Sequence, residues 1–355
     1  MSVLRRLRPS LRELSPYAPP PGAPVKLDAN ESPWPLPSEV RRELAEALAQ
    51  LPLHRYPDGR ATALRDALAS RLGCRPDRLV LGTGSDEVIS MLCAAFGTGR
   101  LLVPSPTFVM YRVSALTHGL EPLEVPLRAD WTLDAEATRD ALRRQRPVLA
   151  FYARPNNPTG ASVAEDTLRE LIEAAPDTLH VIDEAYGAFQ RAKPEDSPQS
   201  LGPWCEEHDN VAVMGTLSKI GLAGLRVGWL RAPDALVAEL EKVRPPFNLD
   251  APAQEAARLV LERYWDRLEA QVRAIVQERE RLLCALRRHP SIETVWPSLG
   301  NFVLLRPKAP APQVARHLHE TQGIAVRTFG PGPLAELLRV TVGTPSDTNR
   351  LLTAL

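Results

Sequence analysis

The sequence holds five lysines, at positions 26, 193, 219, 242 and 308, so the search for an amine that could attack a carbonyl is short. Lys26 lies in a proline-rich arm, Lys193 and Lys308 adjoin prolines in polar loops, and Lys242 falls in the helical run Glu239-Leu-Glu-Lys-Val-Arg; these read as solvated positions. Lys219 differs. It follows an apolar run and Gly215-Thr-Leu-Ser218, and it precedes Ile-Gly-Leu-Ala-Gly-Leu-Arg226. A lysine with apolar neighbours at the carboxyl end of a strand gives up its proton more readily and can trap a carbonyl. Taken alone, the same residue also reads as an exposed loop lysine.

A second group is Val181-Ile-Asp183-Glu-Ala-Tyr186, where a carboxylate closes an apolar run. A buried aspartate is costly unless a cation pairs with it. A divalent metal after a nucleotide-binding strand is one such partner, but no G-x-x-x-x-G-K-[ST] loop accompanies it, and a protonated ring nitrogen of a cofactor suits it better. Third, Tyr152-Ala-Arg-Pro-Asn-Asn157-Pro-Thr-Gly160 is dense in turn residues, and Asn157 can aim its amide at a phenolate-like oxygen. Fourth, Leu81-Gly-Thr-Gly84-Ser85-Asp86-Glu joins a strand to a helix start, where unpaired N–H groups attract an anion. The dinucleotide fingerprint G-x-G-x-x-G lacks its third glycine here, so a single phosphate is the better ligand. Capping of the helix by Ser85 or Asp86 is the other reading.

Such residues need a frame that brings distant segments to one place. Between residues 60 and about 245, short apolar runs at 79–81, 101–103, 148–152, 180–182, 211–214 and 227–230 alternate with segments of helical period at 61–72, 87–96, 135–144 and 164–174. That alternation predicts an α/β fold around a largely parallel sheet, whose ligands collect beyond the carboxyl ends of the strands. A long charged helix over 254–289 is expected to connect to a small α+β domain with strands at 301–305 and 338–342 and a helix near 313–321. The expected domains are an arm, 1–36, packing on the small domain; a large domain, 37–250; and the small domain with its connecting helix, 251–355.

Composition narrows the class of partner. The chain has 355 residues, with 43 Lys+Arg against 43 Asp+Glu, so no global positive field draws it to nucleic acid or an anionic membrane. No apolar run approaches the roughly 20 residues that span a bilayer. The four cysteines, Cys74, Cys93, Cys205 and Cys284, form no C-x-x-C pair, which supports neither zinc nor a disulfide framework and fits a reducing cytoplasm. No metal site is expected. The basic start lacks the apolar stretch of a secretory signal.

Lysine after Thr216-Leu-Ser, the strand-terminal Asp183, Asn-Asn157-Pro-Thr-Gly, the Gly84-Ser85-Asp86 turn and Arg226 occur in one order, and together they resemble the fold-type I pyridoxal-phosphate aminotransferases over nearly the whole chain. More narrowly the chain is similar to the histidinol-phosphate aminotransferases, through Leu27-Asp-Ala-Asn-Glu-Ser-Pro, Arg55-Tyr-Pro-Asp-Gly, Pro106-Thr-Phe-Val-Met-Tyr, Gly300-Asn-Phe and Leu338-Arg-Val-Thr-Val-Gly-Thr. The resemblance implies that Lys219 forms the Schiff base with pyridoxal 5′-phosphate, that Asp183 pairs with the pyridinium nitrogen, and that Asn157 and Tyr186 bind the ring oxygen. It implies that Phe108 stacks on the ring and that Thr216, Ser218, Arg226 and the backbone of Gly84, Ser85 and Asp86 hold the phosphate. Tyr56 then reaches the cofactor of the other subunit of an obligate homodimer. Tyr17, Asn30, Arg327 and Arg339 are the expected substrate contacts, the two arginines as grips for a phosphate or carboxylate.

Two departures stand out. The stretch from Lys219 to Arg226 is one residue shorter than the commoner S-K-x-F-G-L-A-G-x-R form, so its loop must tighten, and Phe108 stands where a tyrosine is frequent. The implied reaction moves the amino group of histidinol phosphate to 2-oxoglutarate. An aromatic amino acid aminotransferase and a threonine-phosphate decarboxylase are the rivals within the class. A regulator on the same fold is the rival outside it, although no basic helix-turn-helix precedes residue 60.

Overall fold

The computed structural model describes residues 3–16, 22–191 and 193–355. Twelve strands appear among them, β1 Val25–Leu27, β2 Leu79–Thr83, β3 Arg100–Ser105, β4 Glu121–Pro126, β5 Leu149–Ala153, β6 Leu179–Asp183, β7 Val211–Thr216, β8 Val227–Arg231, β9 Ile292–Val295, β10 Phe302–Pro307, β11 Ile324–Val326 and β12 Leu338–Thr341. Seven form one sheet in the order β2-β8-β7-β6-β5-β3-β4. β3 pairs in parallel with β4 and β5, and β5-β6 and β6-β7 are also parallel, whereas β8 runs antiparallel to both neighbours. The inner strands are apolar on both faces because both faces are covered. Leu149, Phe151, Val181, Ala212 and Met214 enter one buried cluster, and Ala150, Tyr152, Ile182, Val211 and Val213 enter the other, in the period of two that a strand imposes.

β4 escaped the sequence reading. Its Glu121-Pro-Leu-Glu-Val-Pro carries two prolines and two glutamates, which a central strand could not accommodate, but β4 is the edge, where proline and charge are tolerated. The long charged helix is two helices, Ala251–Arg263 and Trp265–Arg288, broken at Tyr264 (φ −126°, ψ 14°). The phenol of Tyr264 is drawn out to hydrogen-bond Glu43, and the apolar pattern runs on through the break, so nothing in the periodicity marks it.

The C-terminal portion contains a three-stranded sheet, β12-β10-β9, and a parallel pair, β1-β11, in which Val25 faces Ile324. Leu282, Leu286, Phe302, Leu318, Leu338 and Leu351 share one core there. The arm therefore meets the C-terminal portion at β1, but residues 3–16 do not. They lie on the helix Met110–His118, where Arg8 donates to the Thr117 carbonyl at 2.7 Å, Ser10 to the Leu116 carbonyl at 2.8 Å, and Glu13 pairs with Arg112 at 3.0 Å. These carbonyls sit in the helix's last turn, where the next helical N–H is absent, and the arm supplies the donors.

Candidate active site

Strands β2, β5, β6 and β7 end on one side of the central sheet, and the residues just beyond them converge. Ser85, Asp86, Thr216, Ser218, Lys219 and Arg226 line a cleft together with Asp183, Tyr186, Asn157, Phe108 and Tyr111. Lys219 sits in the single 3-10 turn Ser218–Ile220 directly after β7, half-buried, with Nζ 5.7 Å from the centre of the Tyr186 ring.

The floor of one end is built for close approach. Gly84 opens the helix Gly84–Phe96 at φ 76°, a conformation that a residue with a Cβ rarely adopts. A Cβ on Gly228 of β8 would fall 2.4 Å from the Gly84 carbonyl carbon and 2.5 Å from the Ser85 nitrogen, so glycine there lets the strand press against the helix start. The Thr216 hydroxyl lies 2.8 Å from the Ser218 hydroxyl and takes the Ser218 N–H at 3.1 Å. Arg226 donates to Ser218 Oγ at 3.3 Å and to Asp86 Oδ2 at 3.2 Å. Its shortened connection to Lys219 is closed by two successive 3-10 turns, Ser218–Ile220 and Ala223–Leu225, with Arg226 itself left-handed at φ 52°. Two hydroxyls, a guanidinium and a helix N-terminus thus surround one small volume, a donor set suited to a phosphate.

At the other end Asp183 is 5 % exposed. Its Oδ2 accepts from the Tyr111 hydroxyl at 2.6 Å and its Oδ1 from the Ala185 N–H at 2.9 Å. Burial pushes the carboxyl pKa up, and those two donors, with the positive charge of Lys219, pull it back. Between the two ends Asn157 Oδ1 accepts from Arg339 Nη1 at 2.6 Å, so its NH2 remains the donor side, and the Tyr186 oxygen accepts from Asn30 Nδ2 at 2.9 Å.

The residues expected at the substrate end are placed unevenly. Arg339 reaches the cleft through Asn157 and also donates to the Asp28 carbonyl. Arg327 faces it across a bridge in which each backbone N–H donates to the other's carbonyl at 3.0 Å. Asn30 is buried at φ 55° and tied to Thr341, and Asn301 donates to its carbonyl at 3.0 Å. Tyr56 is outside the cleft of its own chain, 82 % exposed and stacked on Phe247 at 4.6 Å. Tyr17 lies outside the described residues. Tyr111 and Asn301 were missed. Tyr111 follows Phe108 by three positions and so shares its face of the turn, but only the fold brings its hydroxyl to Asp183.

A lysine, a buried aspartate and a phosphate cradle at the carboxyl ends of parallel strands mark a carbonyl-cofactor enzyme, and the chain belongs to the family aminotransferase class I and II, whose pattern matches residues 23–355. Pyridoxal 5′-phosphate is that family's cofactor, and the glycine-backed cradle and the doubly hydrogen-bonded Asp183 fit its phosphate and its ring nitrogen. The chain is 42% identical over 336 residues to histidinol-phosphate aminotransferase of Chromobacterium violaceum, covering 93% of this chain and 91% of the relative. It is 42% identical over 371 residues to the protein of that name from Paracidovorax citrulli, covering 100% and 97%. The crystal structure of histidinol-phosphate aminotransferase from Sinorhizobium meliloti in complex with pyridoxal-5′-phosphate superposes with a TM-score of 0.85 at 25% identity, covering 99% of this chain and 96% of that one. Among the described residues no helix is long and apolar enough to cross a membrane, and no cluster of metal-ligating side chains is found.

Proposed function

We infer that the chain transfers the amino group of L-histidinol phosphate to 2-oxoglutarate, giving imidazole-acetol phosphate and L-glutamate, as a step of histidine biosynthesis. The observation that carries this reading is the Arg327–Arg339 pair. Arg339 is anchored to the cleft through Asn157, and Arg327 lies across a backbone bridge from it, which offers a second guanidinium for a substrate anion. The names of the full-length relatives point to the same donor.

In this reading Thr216, Ser218, Arg226 and the N–H groups of Gly84, Ser85 and Asp86 hold the cofactor phosphate, Phe108 covers the ring, and Asp183 meets the ring nitrogen. When bound, the cofactor supplies an electron sink for the donor's α-carbon. Lys219 brings the amine that takes the proton from that carbon and returns it. Because Tyr186 already accepts from Asn30, its own proton is available to the ring oxygen, and the Asn157 NH2 is the second donor to the same atom.

The working form is a cytoplasmic homodimer, with Tyr56 reaching the partner's cofactor phosphate. The exposed apolar side chains of Leu53, Tyr56, Val243 and Phe247 support a covering surface there. Neither nucleic acid nor membrane has a part in it. The test is a donor panel with the purified protein and 2-oxoglutarate. Histidinol phosphate should be converted with far higher kcat/KM than phenylalanine or tyrosine, and phosphothreonine should not be decarboxylated. Preference for the unphosphorylated aromatic donors would replace this reading with an aromatic aminotransferase.

A further inference from the structure

Asp183 has one side-chain partner among the described residues, and it is Tyr111. The Tyr111 ring is completely buried, stacked on Phe151 at 4.7 Å with an interplanar angle of 20° and edge-on to Phe108 at 5.7 Å. Packed on both sides, the phenol cannot swing to water, and its hydroxyl is fixed 2.6 Å from Asp183 Oδ2. The direction of donation is also fixed. Burial and the adjacent negative charge of Asp183 raise the phenol pKa well above its ordinary value, so the tyrosine keeps its proton and the carboxylate accepts.

We propose that Tyr111 is a positioning residue that keeps Asp183 an anion against the cofactor, so that the proton shared between carboxylate and ring nitrogen rests on the nitrogen. This rests on the reading that Asp183 faces that nitrogen. A carboxylate and a pyridine nitrogen in contact hold one proton between them. In a dry pocket the neutral pair, with the proton on the acid, gains over the charged pair because desolvation penalises charge. A donor on the far oxygen of the carboxylate lowers its proton affinity and reverses that preference. Ala185 supplies one such donor from the backbone, which no side-chain change removes, and Tyr111 supplies the other. The ring is electron-withdrawing only with the proton on its nitrogen, so a hydroxyl that need not touch the substrate acts through Asp183 on every turnover.

The experiment loads the full-length protein with cofactor labelled with ¹⁵N at the ring nitrogen and reads the nitrogen chemical shift, which moves continuously with the distance of the proton. The parent should show a protonated ring. Tyr111→Phe, which retains both ring contacts, should move the signal toward neutral pyridine and lower kcat about ten- to a hundredfold, the scale of a hydrogen bond to a charged group, with KM for the donor held within about twofold. Incorporating 3-fluorotyrosine or 3,5-difluorotyrosine at 111 keeps the shape and strengthens the donor, and should move the signal the opposite way in order of phenol acidity. That series decides the matter if Tyr111→Phe folds poorly. An unchanged ring signal across these variants overturns the role of Tyr111. If Asp183→Asn also leaves the signal unchanged, the placement of Asp183 at the ring is itself wrong.

Discussion

The phenolic oxygen of Tyr186 accepts a hydrogen bond from the side-chain amide of Asn30, 2.9 Å away and 156 positions earlier in the chain. An acceptor so occupied turns its proton elsewhere, and the cleft is what remains. Asn30 sits at φ 55°, where asparagine and aspartate are tolerated. Asn30→Asp therefore keeps the backbone but replaces the donor with an acceptor, and the Tyr186 proton turns to the new carboxylate. Cofactor affinity should fall about ten- to a hundredfold. Equilibrium dialysis of cofactor checks this, and an unchanged dissociation constant refutes it.

Borohydride reduction of the cofactor-loaded protein should attach the label to the peptide carrying Lys219 and to no other. Lys26 pairs with Glu31 at 2.8 Å and Lys242 with Glu239 at 2.5 Å, both pairs exposed, so these amines are held at the surface. Peptide mapping that places the label on Lys26, Lys193, Lys242 or Lys308 would contradict the assignment.

Arg327→Ala should separate donors. Loss of the guanidinium should reduce kcat/KM for histidinol phosphate by about 1.5–3 kcal/mol of transition-state binding, the scale of a hydrogen bond to a charged group, and leave an unphosphorylated aromatic amino acid nearly unaffected. Equal losses for the two donors would assign Arg327 to the fold.

Gly228→Ala should act on the phosphate cradle without altering any polar group. The added methyl meets backbone atoms of Gly84 and Ser85 at 2.4–2.8 Å, which cannot rotate away. The helix start must shift, with a stability loss of about 1–3 kcal/mol and weaker cofactor binding, both measurable by denaturant titration with and without cofactor. Unaltered stability and affinity would show that β8 and the helix start can separate at no cost.

His180 makes the fold acid-sensitive. It is fully buried in β6, with Nε2 3.1 Å from the Ala175 carbonyl and Nδ1 3.3 Å from the Tyr152 hydroxyl, and burial lowers its pKa to about 4. An unfolded histidine titrates near pH 6.5. Below that pH the unfolded chain binds a proton that the folded chain refuses, so stability contributed by this group is whole above about 6.5 and declines as the pH falls to about 4. The loss by pH 4 is about 3 kcal/mol. In His180→Gln the decline between pH 7 and 4 should be shallower by that amount in urea titrations; parallel curves would refute the argument.

The strands that end at the cleft were legible because their apolar runs stop at chemically distinctive residues: Asp183 at the end of β6, Thr216 at the end of β7 with Lys219 just beyond it, Gly84 after β2. What the sequence could not display was lateral. Nothing local says that Asn30 will meet Tyr186, that Arg339 will meet Asn157, or that Tyr111 will meet Asp183, since each depends on packing between segments 72 to 182 positions apart. The short strands β1, β9 and β11 were invisible for a related reason. Each forms its ladder with a single neighbour, at a sheet edge or in a two-stranded pair, and exists only because that partner awaits it.

Helix Trp265–Arg288 carries Arg279, whose guanidinium is buried and donates to the carbonyls of Phe189 at 2.9 Å, Gly300 at 3.2 Å and Arg191 at 3.3 Å. Phe189 and Arg191 follow Tyr186 closely, and Gly300 leads into Asn301 and Phe302, the latter edge-on to the Tyr186 ring at 5.1 Å. Pulling a buried cation from three acceptors is expensive. Any hinging of the C-terminal portion over the cleft must therefore pivot along this seam and swing widest at the far side, so Tyr186 sits near the axle, where it moves least while the mouth opens.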